Sequence, residues 1–256
     1  MPEDSILSVR EVTRSFGGIV ALSSVSCEVA SGGGIFGIVG PNGAGKSVLL
    51  NCITGIYALN SGSIYFLGRR IDGLRPHRLA AMGISRSFQA TEHFHEVRVA
   101  EYLVASRPRA KSASIVACAF SLRSARRSEH AALQLAYDTL ERVGLADYRH
   151  HRMGDLPYGL RKSVDIARAI ATSPTLLLLD EPTAGVSLDD RSVIAEMIRG
   201  IGTTGVSVIV VDHDVAFIEA LCAELLVLNF GTVIASGPPA DVLRDASVRE
   251  AYLGLV

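Results

Sequence analysis

The stretch from Gly40 to Ser47 limits the possible folds of this chain more than any other. It reads Gly-Pro-Asn-Gly-Ala-Gly-Lys-Ser, which matches the pattern G-x-x-x-x-G-K-[ST] of a phosphate-binding loop. The run Gly34–Val39 before it has the apolar character of a buried strand, and the run Val48–Thr54 after it is compatible with a helix. The pattern requires this strand–loop–helix context, so we predict a polyphosphate site between a buried strand and a helix.

The residue types within the loop suit this chemistry. Glycines allow backbone N–H groups to turn toward an anion, and the positive end of the following helix dipole points at the same place. Lys46 would neutralise the β- and γ-phosphates, and the Ser47 hydroxyl would be a ligand of Mg²⁺. The predicted nucleotide-binding residues of the loop are Gly40, Pro41, Asn42, Gly43, Ala44, Gly45, Lys46 and Ser47.

The bulk properties of the chain limit its class. A length of 256 residues suits one large α/β domain or a domain with a sizeable insertion. The formal net charge of −1 is too small for binding through an overall positive field, so no nucleic acid partner is expected. The four cysteines lie far apart without metal-ligand spacing and are expected to be reduced thiols. No apolar run reaches the ~20 residues that span a bilayer, and the acidic start has no signal-peptide core.

Hydrophobic patterning divides the chain into regions. Residues 5–30 alternate apolar and polar, as half-buried antiparallel strands do, whereas residues 176–180 and 206–211 have the pattern of fully buried strands. From about Val97 to Ala171 helical patterning prevails. Between Arg107 and Arg127 a Ser/Ala-rich segment carries six basic residues and no acid. This segment is either a solvated, partly ordered loop or a surface that faces anionic lipid or a partner.

Polar residues follow two of the predicted buried strands. Asp180 and Glu181 come directly after four leucines, and ligands bind at the carboxyl ends of the strands in parallel α/β sheets. We expect Asp180 to hold Mg²⁺ and Glu181 to be the general base that activates the attacking water. His213 follows the run Val208–Asp212 at the same predicted edge, where a γ-phosphate contact would lie.

Gln89 ends the strand-like run from Ser85, just before the helical region begins. A neutral amide there could contact Mg²⁺ or water and report the nucleotide state to the helical region. Its weight as a candidate catalytic and metal-binding residue comes from the order of the motifs along the chain.

In that order of motifs the chain resembles the ATP-binding cassette family of transporter ATPases, and the resemblance covers essentially all of it. The matching segments are Gly40–Ser47, Gln89, Leu156–Lys162 in the place of the Leu-Ser-Gly-Gly-Gln signature, Asp180-Glu181 and His213. The resemblance implies an α/β P-loop NTPase fold, with a RecA-like parallel-sheet core, an N-terminal antiparallel β subdomain and an inserted α-helical subdomain. The implied bounds are about 5–90 and 172–236 for the core and β subdomain, about 91–171 for the helical subdomain, and about 237–256 for a C-terminal tail.

Within the family the chain is most similar to the ATPases of branched-chain amino acid importers. The similar features are Leu156–Gly159, the long segment 91–135, and the ending from Asn229 to Gly254. The resemblance implies ATP and Mg²⁺ as cofactors, a transmembrane permease as partner, a second ATPase subunit of the same or a related chain, and indirectly a substrate-binding protein. It also implies a peripheral position on the cytoplasmic face of the cell membrane.

The resemblance adds three site residues. Phe16 matches the aromatic residue that stacks on adenine. Tyr158 and Gly159 lie in the signature, which together with a helix over 160–171 would cap the nucleotide held by the partner subunit.

Three departures from the family pattern leave alternatives open. Pro157 replaces the usual signature Ser, Leu160 replaces the usual Gln, and Ser187 stands where Asp is usual and Asn is tolerated. These changes weaken the part of the site that serves the partner's nucleotide, so a non-catalytic, nucleotide-sensing subunit is one alternative. The others are a soluble cassette ATPase in translation or repair and the ATPase of an exporter.

Overall fold

The computed structural model describes residues 5–87, 94–105 and 122–253, and the chain divides into two compact units. The first unit contains the residues up to Arg86 and those from Thr175 onward. The second unit contains residues 87–174.

The first unit contains two β-sheets. Their strands are β1 (Ser5–Phe16), β2 (Ile19–Ala30), β3 (Gly34–Val39), β4 (Ser61–Phe66), β5 (Arg69–Arg70), β6 (Ile84–Arg86), β7 (Leu176–Asp180), β8 (Ser207–Val211), β9 (Glu224–Asn229) and β10 (Thr232–Gly237). One sheet is antiparallel with the order β2-β1-β4-β5, and the other has the order β10-β9-β3-β8-β7-β6. Strands β9, β3, β8, β7 and β6 run parallel to one another, and the edge strand β10 pairs antiparallel to β9.

The sequence patterns explain this division. Strand β2 buries Leu22, Val25 and Val29 between more exposed residues, as the alternating pattern predicts. Strand β1 differs, because its four consecutive residues 6–9 are all buried. The aliphatic runs of β7 and β8 are buried throughout, as parallel strands covered on both faces are. Strand β3 lies at the centre of the six-stranded sheet, between β8 and β9. The phosphate-binding loop therefore leaves the sheet from its interior rather than from an edge.

Helices of the first unit connect and cover these strands. They are α1 (Lys46–Ile53), α2 (Pro76–Ala81), α6 (Leu188–Gly202), α7 (Val215–Leu221), α8 (Pro239–Val242) and α9 (Ala246–Leu253). Leu49 of α1 belongs to a core cluster that also includes residues of both sheets, for example Val9 of β1 and Leu178 of β7. This continuous apolar core fixes the start of α1, and hence the end of the loop before it.

The second unit is helical. Its described helices are α3 (Val99–Ala105), α4 (Leu122–Arg142) and α5 (Tyr158–Ile170), with short 3₁₀ turns at Ala146–Tyr148 and Met153–Asp155. Ala136 and Leu140 of α4 are buried, and Gly144 has a left-handed φ of 74° just after that helix. The Tyr102 hydroxyl donates to the Asp165 carboxylate over 3.0 Å, which joins α3 to α5.

Candidate nucleotide-binding site

The phosphate-binding loop has a shape that only glycine permits at its two ends. A Cβ atom on Gly40 would lie 2.2 Å from the Leu228 carbonyl oxygen, and one on Gly45 would lie 2.6 Å from the Ala21 carbonyl oxygen. Gly45 also has a φ of 101°, which side-chain-bearing residues rarely adopt. The loop is therefore held close against β9 and β2 by backbone contact.

Backbone hydrogen bonds hold this loop from behind. The Gly231 N–H donates to the Ala44 carbonyl over 3.0 Å, and the Ser23 N–H donates to the Gly231 carbonyl over 2.8 Å. The turn between β9 and β10 thus lies between the loop and β2. Within the loop, the Ala44 N–H donates to the Pro41 carbonyl over 3.1 Å.

Lys46 is buried inside the loop. Its Nζ donates to the Gly40 carbonyl over 2.6 Å and to the Pro41 carbonyl over 3.0 Å. Burial lowers the pKa of Lys46, and the negative charges of Glu181 and Asp180 oppose this shift. The amine therefore lies within the electrostatic reach of the acids that follow β7, as a residue that neutralises phosphate would.

Asp180 lies at the carboxyl end of β7 in an ion pair. Its Oδ2 accepts from the Arg86 guanidinium over 2.6 Å, and both side chains are only 12% exposed. The same guanidinium donates to Asn51 Oδ1 of α1 over 2.6 Å. Sequence reasoning missed Arg86 and Asn51, because nothing local to either residue points to a partner on another strand or helix.

Glu181 has a strained backbone. Its φ of 48° places a residue with a full side chain in the left-handed region. The Glu181 N–H donates to the Val211 carbonyl over 2.7 Å, and its carbonyl accepts from the Ala184 N–H over 3.2 Å. Strain of this kind persists only where the surroundings fix it, and it concentrates at functional sites.

His213 follows β8, beside the same sheet edge. Its side chain is 57% exposed, and its Nδ1 lies 3.5 Å from Oδ1 of Asp212, which is completely buried. Asp212 Oδ2 accepts from the Thr183 hydroxyl over 2.6 Å, so it also contacts the loop after Glu181. The sequence analysis predicted a role for His213 and overlooked Asp212, which it treated as the end of a strand.

Phe16 has aromatic and cationic neighbours and is 36% exposed. The Arg14 guanidinium lies 4.4 Å from the centre of its ring. The Tyr57 ring, just beyond α1, meets it edge-on at 5.0 Å between centroids. These two neighbours, which sequence reasoning missed, hold the predicted adenine platform in place.

The signature lies in the second unit. The predicted start of its helix at 160 is wrong, because α5 begins at Tyr158 with Pro157 as its N-cap residue. Tyr158 and Gly159 have low helix propensity, and a prediction from propensity therefore places the start of the helix after them. In the structure the helix starts directly after Pro157, whose extended backbone is compatible with the position before a helix. Tyr158 is 42% exposed, and Gly159 is buried in the first turn.

Two predictions of the sequence analysis fall on residues that the structure does not describe. Gln89 is one of them, and the basic segment 107–127 lies largely there as well.

The side-chain oxygens at the carboxyl ends of β3 and β7 suit a Mg²⁺ ion that is bound together with a phosphate. Among the described residues, no group of three or more His, Cys, Asp or Glu side chains could hold a metal ion. Mg²⁺ is usually held by one or two protein oxygens together with substrate phosphates, and the oxygens of Ser47 and Asp180 are of the required type. The glycine-lined loop with its buried Lys46 is the cradle that such a phosphate needs.

The family model described as ABC transporter matches residues 22–184. The chain belongs to this family. The branched-chain amino acid transport ATP-binding protein BraF of Pseudomonas aeruginosa is 34% identical over 97% of this chain and 98% of that protein. The corresponding LivG protein of Escherichia coli K12 is 32% identical over 97% of this chain and 98% of that protein.

Solved structures agree with the family. A nucleotide-free ATP-binding cassette of an ABC transporter aligns with a TM-score of 0.85 and 29% identity, over 98% of this chain and 100% of that one. A cassette solved in its ADP conformation aligns equally well, with a TM-score of 0.85. The predicted family and P-loop NTPase fold class are confirmed, and the chain is a nucleotide-binding ABC ATPase.

A second family model, described as Branched-chain amino acid ATP-binding cassette transporter, matches residues 232–254. This segment contains β10 and the last two helices, α8 and α9. In the part of the chain that the structure describes, no helix is both long and apolar enough to cross a membrane.

Proposed function

We propose that this subunit hydrolyses ATP to energise the uptake of branched-chain amino acids or a related small solute through a separate permease. The observation that carries the proposal is the match of residues 232–254 to a model specific for branched-chain amino acid cassettes. The near-full-length similarity to BraF and LivG, both named as branched-chain amino acid transport proteins, supports it.

The first unit would carry the chemistry. Backbone N–H groups of residues 40–47 and the Lys46 amine would bind the phosphates of ATP, while Phe16 stacks on the adenine. Glu181 would take a proton from water as the water oxygen attacks the γ-phosphorus and the bond to the β-phosphate oxygen breaks. His213 would contact the γ-phosphate and hold it in line.

The oxygens of Ser47 and Asp180, with Gln89, would hold Mg²⁺. When bound, Mg²⁺ supplies positive charge that offsets the charge developing on the phosphate oxygens.

The second unit would act on a partner. A second ATPase subunit, identical or related, would receive Tyr158 and Gly159 against its nucleotide, because the first turn of α5 has N–H groups that no side chain caps. The permease would contact the helical subdomain, at about 91–171, and the segment around Gln89 that precedes it. The assembly would lie on the cytoplasmic face of the cell membrane and receive solute from a substrate-binding protein.

The test is a set of three variants in proteoliposomes that contain the permease. Glu181→Gln should lower kcat by at least about 10²-fold and trap an ATP-bound dimer on size exclusion, since it removes the base and keeps the shape. Lys46→Ala should abolish ATP binding, and so should give no trapped dimer. Asp189→Asn, at an exposed position in α6, is the control and should behave as wild type.

Uptake of radiolabelled leucine that depends on ATP and on Glu181 would support the proposed solute. Full turnover in Glu181→Gln would exclude the assigned base. If ATP instead drives the solute away from the side of the membrane on which the ATPase subunit lies, the protein belongs to an exporter.

A further inference from the structure

Asp212 is an acidic residue beside the site that has no role in the ATP hydrolysis described above. Its side chain is completely buried, and no arginine or lysine pairs with it among the described residues. A buried carboxylate is costly unless hydrogen bonds satisfy it. The groups that donate hydrogen bonds to Asp212 therefore stabilise its charge.

Each carboxylate oxygen faces a different segment. Oδ1 accepts from the backbone N–H groups of His213, over 2.8 Å, and Asp214, over 3.1 Å, and it is the atom that faces the His213 ring. Oδ2 accepts from the Thr183 hydroxyl over 2.6 Å and lies 3.4 Å from the Thr183 backbone nitrogen. One side chain thus connects the loop after β8 to the loop after β7.

We propose that Asp212 is a positioning residue, which fixes the His213 ring and the backbone after Glu181 in one shared arrangement. The inference rests on the proposed roles of His213 and Glu181. Asp212 itself would not touch the nucleotide.

The contact with His213 sets the direction of the ring. Nδ1 is the ring nitrogen that faces Oδ1 of Asp212, so an N–H at Nδ1 would point toward the carboxylate. Nε2 lies on the opposite side of the imidazole, and the exposure of the ring leaves it accessible to a phosphate oxygen. The 3.5 Å separation is at the long end for a hydrogen bond.

The contact with Thr183 acts on the other catalytic segment. Thr183 is 1% exposed and lies two residues after Glu181, whose left-handed backbone needs support from its surroundings. The bond between Thr183 and Asp212 closes that loop onto β8. A shift of Asp212 would therefore move both catalytic residues together.

The first test is Asp212→Asn in the full chain, with ATPase kinetics under saturating Mg²⁺. Asn has the same shape, and its oxygen can still accept from the backbone of His213 and Asp214, so a purely structural role would survive. We expect kcat to fall by at least about tenfold and KM to stay within about twofold, because Asn lacks the second oxygen that accepts from Thr183 and because the residues that Asp212 positions act in the transition state. Asp72→Asn is the control, since Asp72 also accepts from a backbone N–H, that of Ile64, and takes no part in the site.

A double-mutant cycle with His213→Ala tests the route of the effect. If Asp212 acts through His213, Asp212→Asn should cost much less in the His213→Ala background than in the wild type. Equal losses in both backgrounds, or a wild-type kcat in Asp212→Asn, would overturn the inference while leaving His213 as a catalytic residue. A wild-type kcat in His213→Ala would overturn the proposed role of His213, and the inference with it.

The pair Thr183→Val and Thr183→Ser gives an independent measurement with a milder change. Valine keeps the shape and removes the hydroxyl, whereas serine keeps the hydroxyl. We expect Thr183→Val to lower kcat severalfold and Thr183→Ser to retain most of it. Equal kcat in the two variants would contradict the proposed link to the loop after Glu181.

Discussion

Arg86 and Asp180 form an ion pair across 94 positions of the sequence, with 2.6 Å between a guanidinium nitrogen and Oδ2. The acid proposed to hold Mg²⁺ therefore has a cation of the protein beside it. The second contact of Arg86, to Asn51, connects this acid to the helix that begins in the phosphate-binding loop.

Arg86→Ala should lower the free energy of unfolding by about 3–5 kcal/mol, because it leaves Asp180 largely buried without its partner. Urea unfolding of the nucleotide-free protein measures this change. In the variant Arg86→Ala/Asp180→Ala much of the loss should be recovered. The control is Arg152→Ala, which removes a pair with Glu96 whose two side chains are 59% and 84% exposed, and it should leave the urea midpoint unchanged. Equal midpoints for the Arg86 and Arg152 variants would contradict the prediction.

The strain at Glu181 predicts an unusual order of stability. Glu181→Gly should be about 1 kcal/mol more stable than Glu181→Ala, because glycine adopts a φ of 48° at little cost. Both variants should lose hydrolysis. At Glu196, within α6, the order should reverse and alanine should be the more stable. Thermal unfolding of the four variants decides, and a less stable Glu181→Gly would show that the backbone there is relaxed.

The departures of the signature from the family pattern should have little effect on kcat. Pro157→Ser and Leu160→Gln restore the usual side chains, yet we expect each to change kcat by less than about threefold, since backbone N–H groups of α5 are the proposed donors. Steady-state ATPase assays measure this, with Pro157→Ala separating the loss of the ring from the gain of a hydroxyl. A tenfold gain in Pro157→Ser alone would show that the missing hydroxyl limits turnover.

The described cysteines should be unreactive in the folded protein. Burial raises the pKa of Cys52 to about 11 and that of Cys27 and Cys222 to about 12. The thiolate is the reactive form, and at pH 8 a thiol with a pKa of about 11 is thiolate in about one part per thousand. In a Cys118→Ser background, a chromogenic disulfide reagent should therefore label three thiols only after denaturant is added. Fast labelling of the native protein would contradict this.

The features that could be predicted from the sequence are those whose causes lie within a few neighbouring residues. The strand and helix on either side of the Gly40–Ser47 loop and the strand that ends at Asp180 are set by composition and periodicity over a few residues, and the structure contains these elements. The contact of Asp212 with Thr183 joins residues 29 positions apart, and no local pattern indicates it. The start of α5 was placed too late, because packing of Gly159 in the first turn outweighs its low helix propensity.

The central position of β3 has a consequence for the order of events during synthesis. This strand pairs with β8 and β9, and the loop after it is bonded to Gly231, so the partners that shape it are translated about 170 to 190 residues later. Pairings between such distant segments form slowly, after the intervening chain is available. A ribosome-bound chain that has exposed all of Gly40–Ser47 but not yet β9 would contain the nucleotide-binding motif and be unable to bind nucleotide.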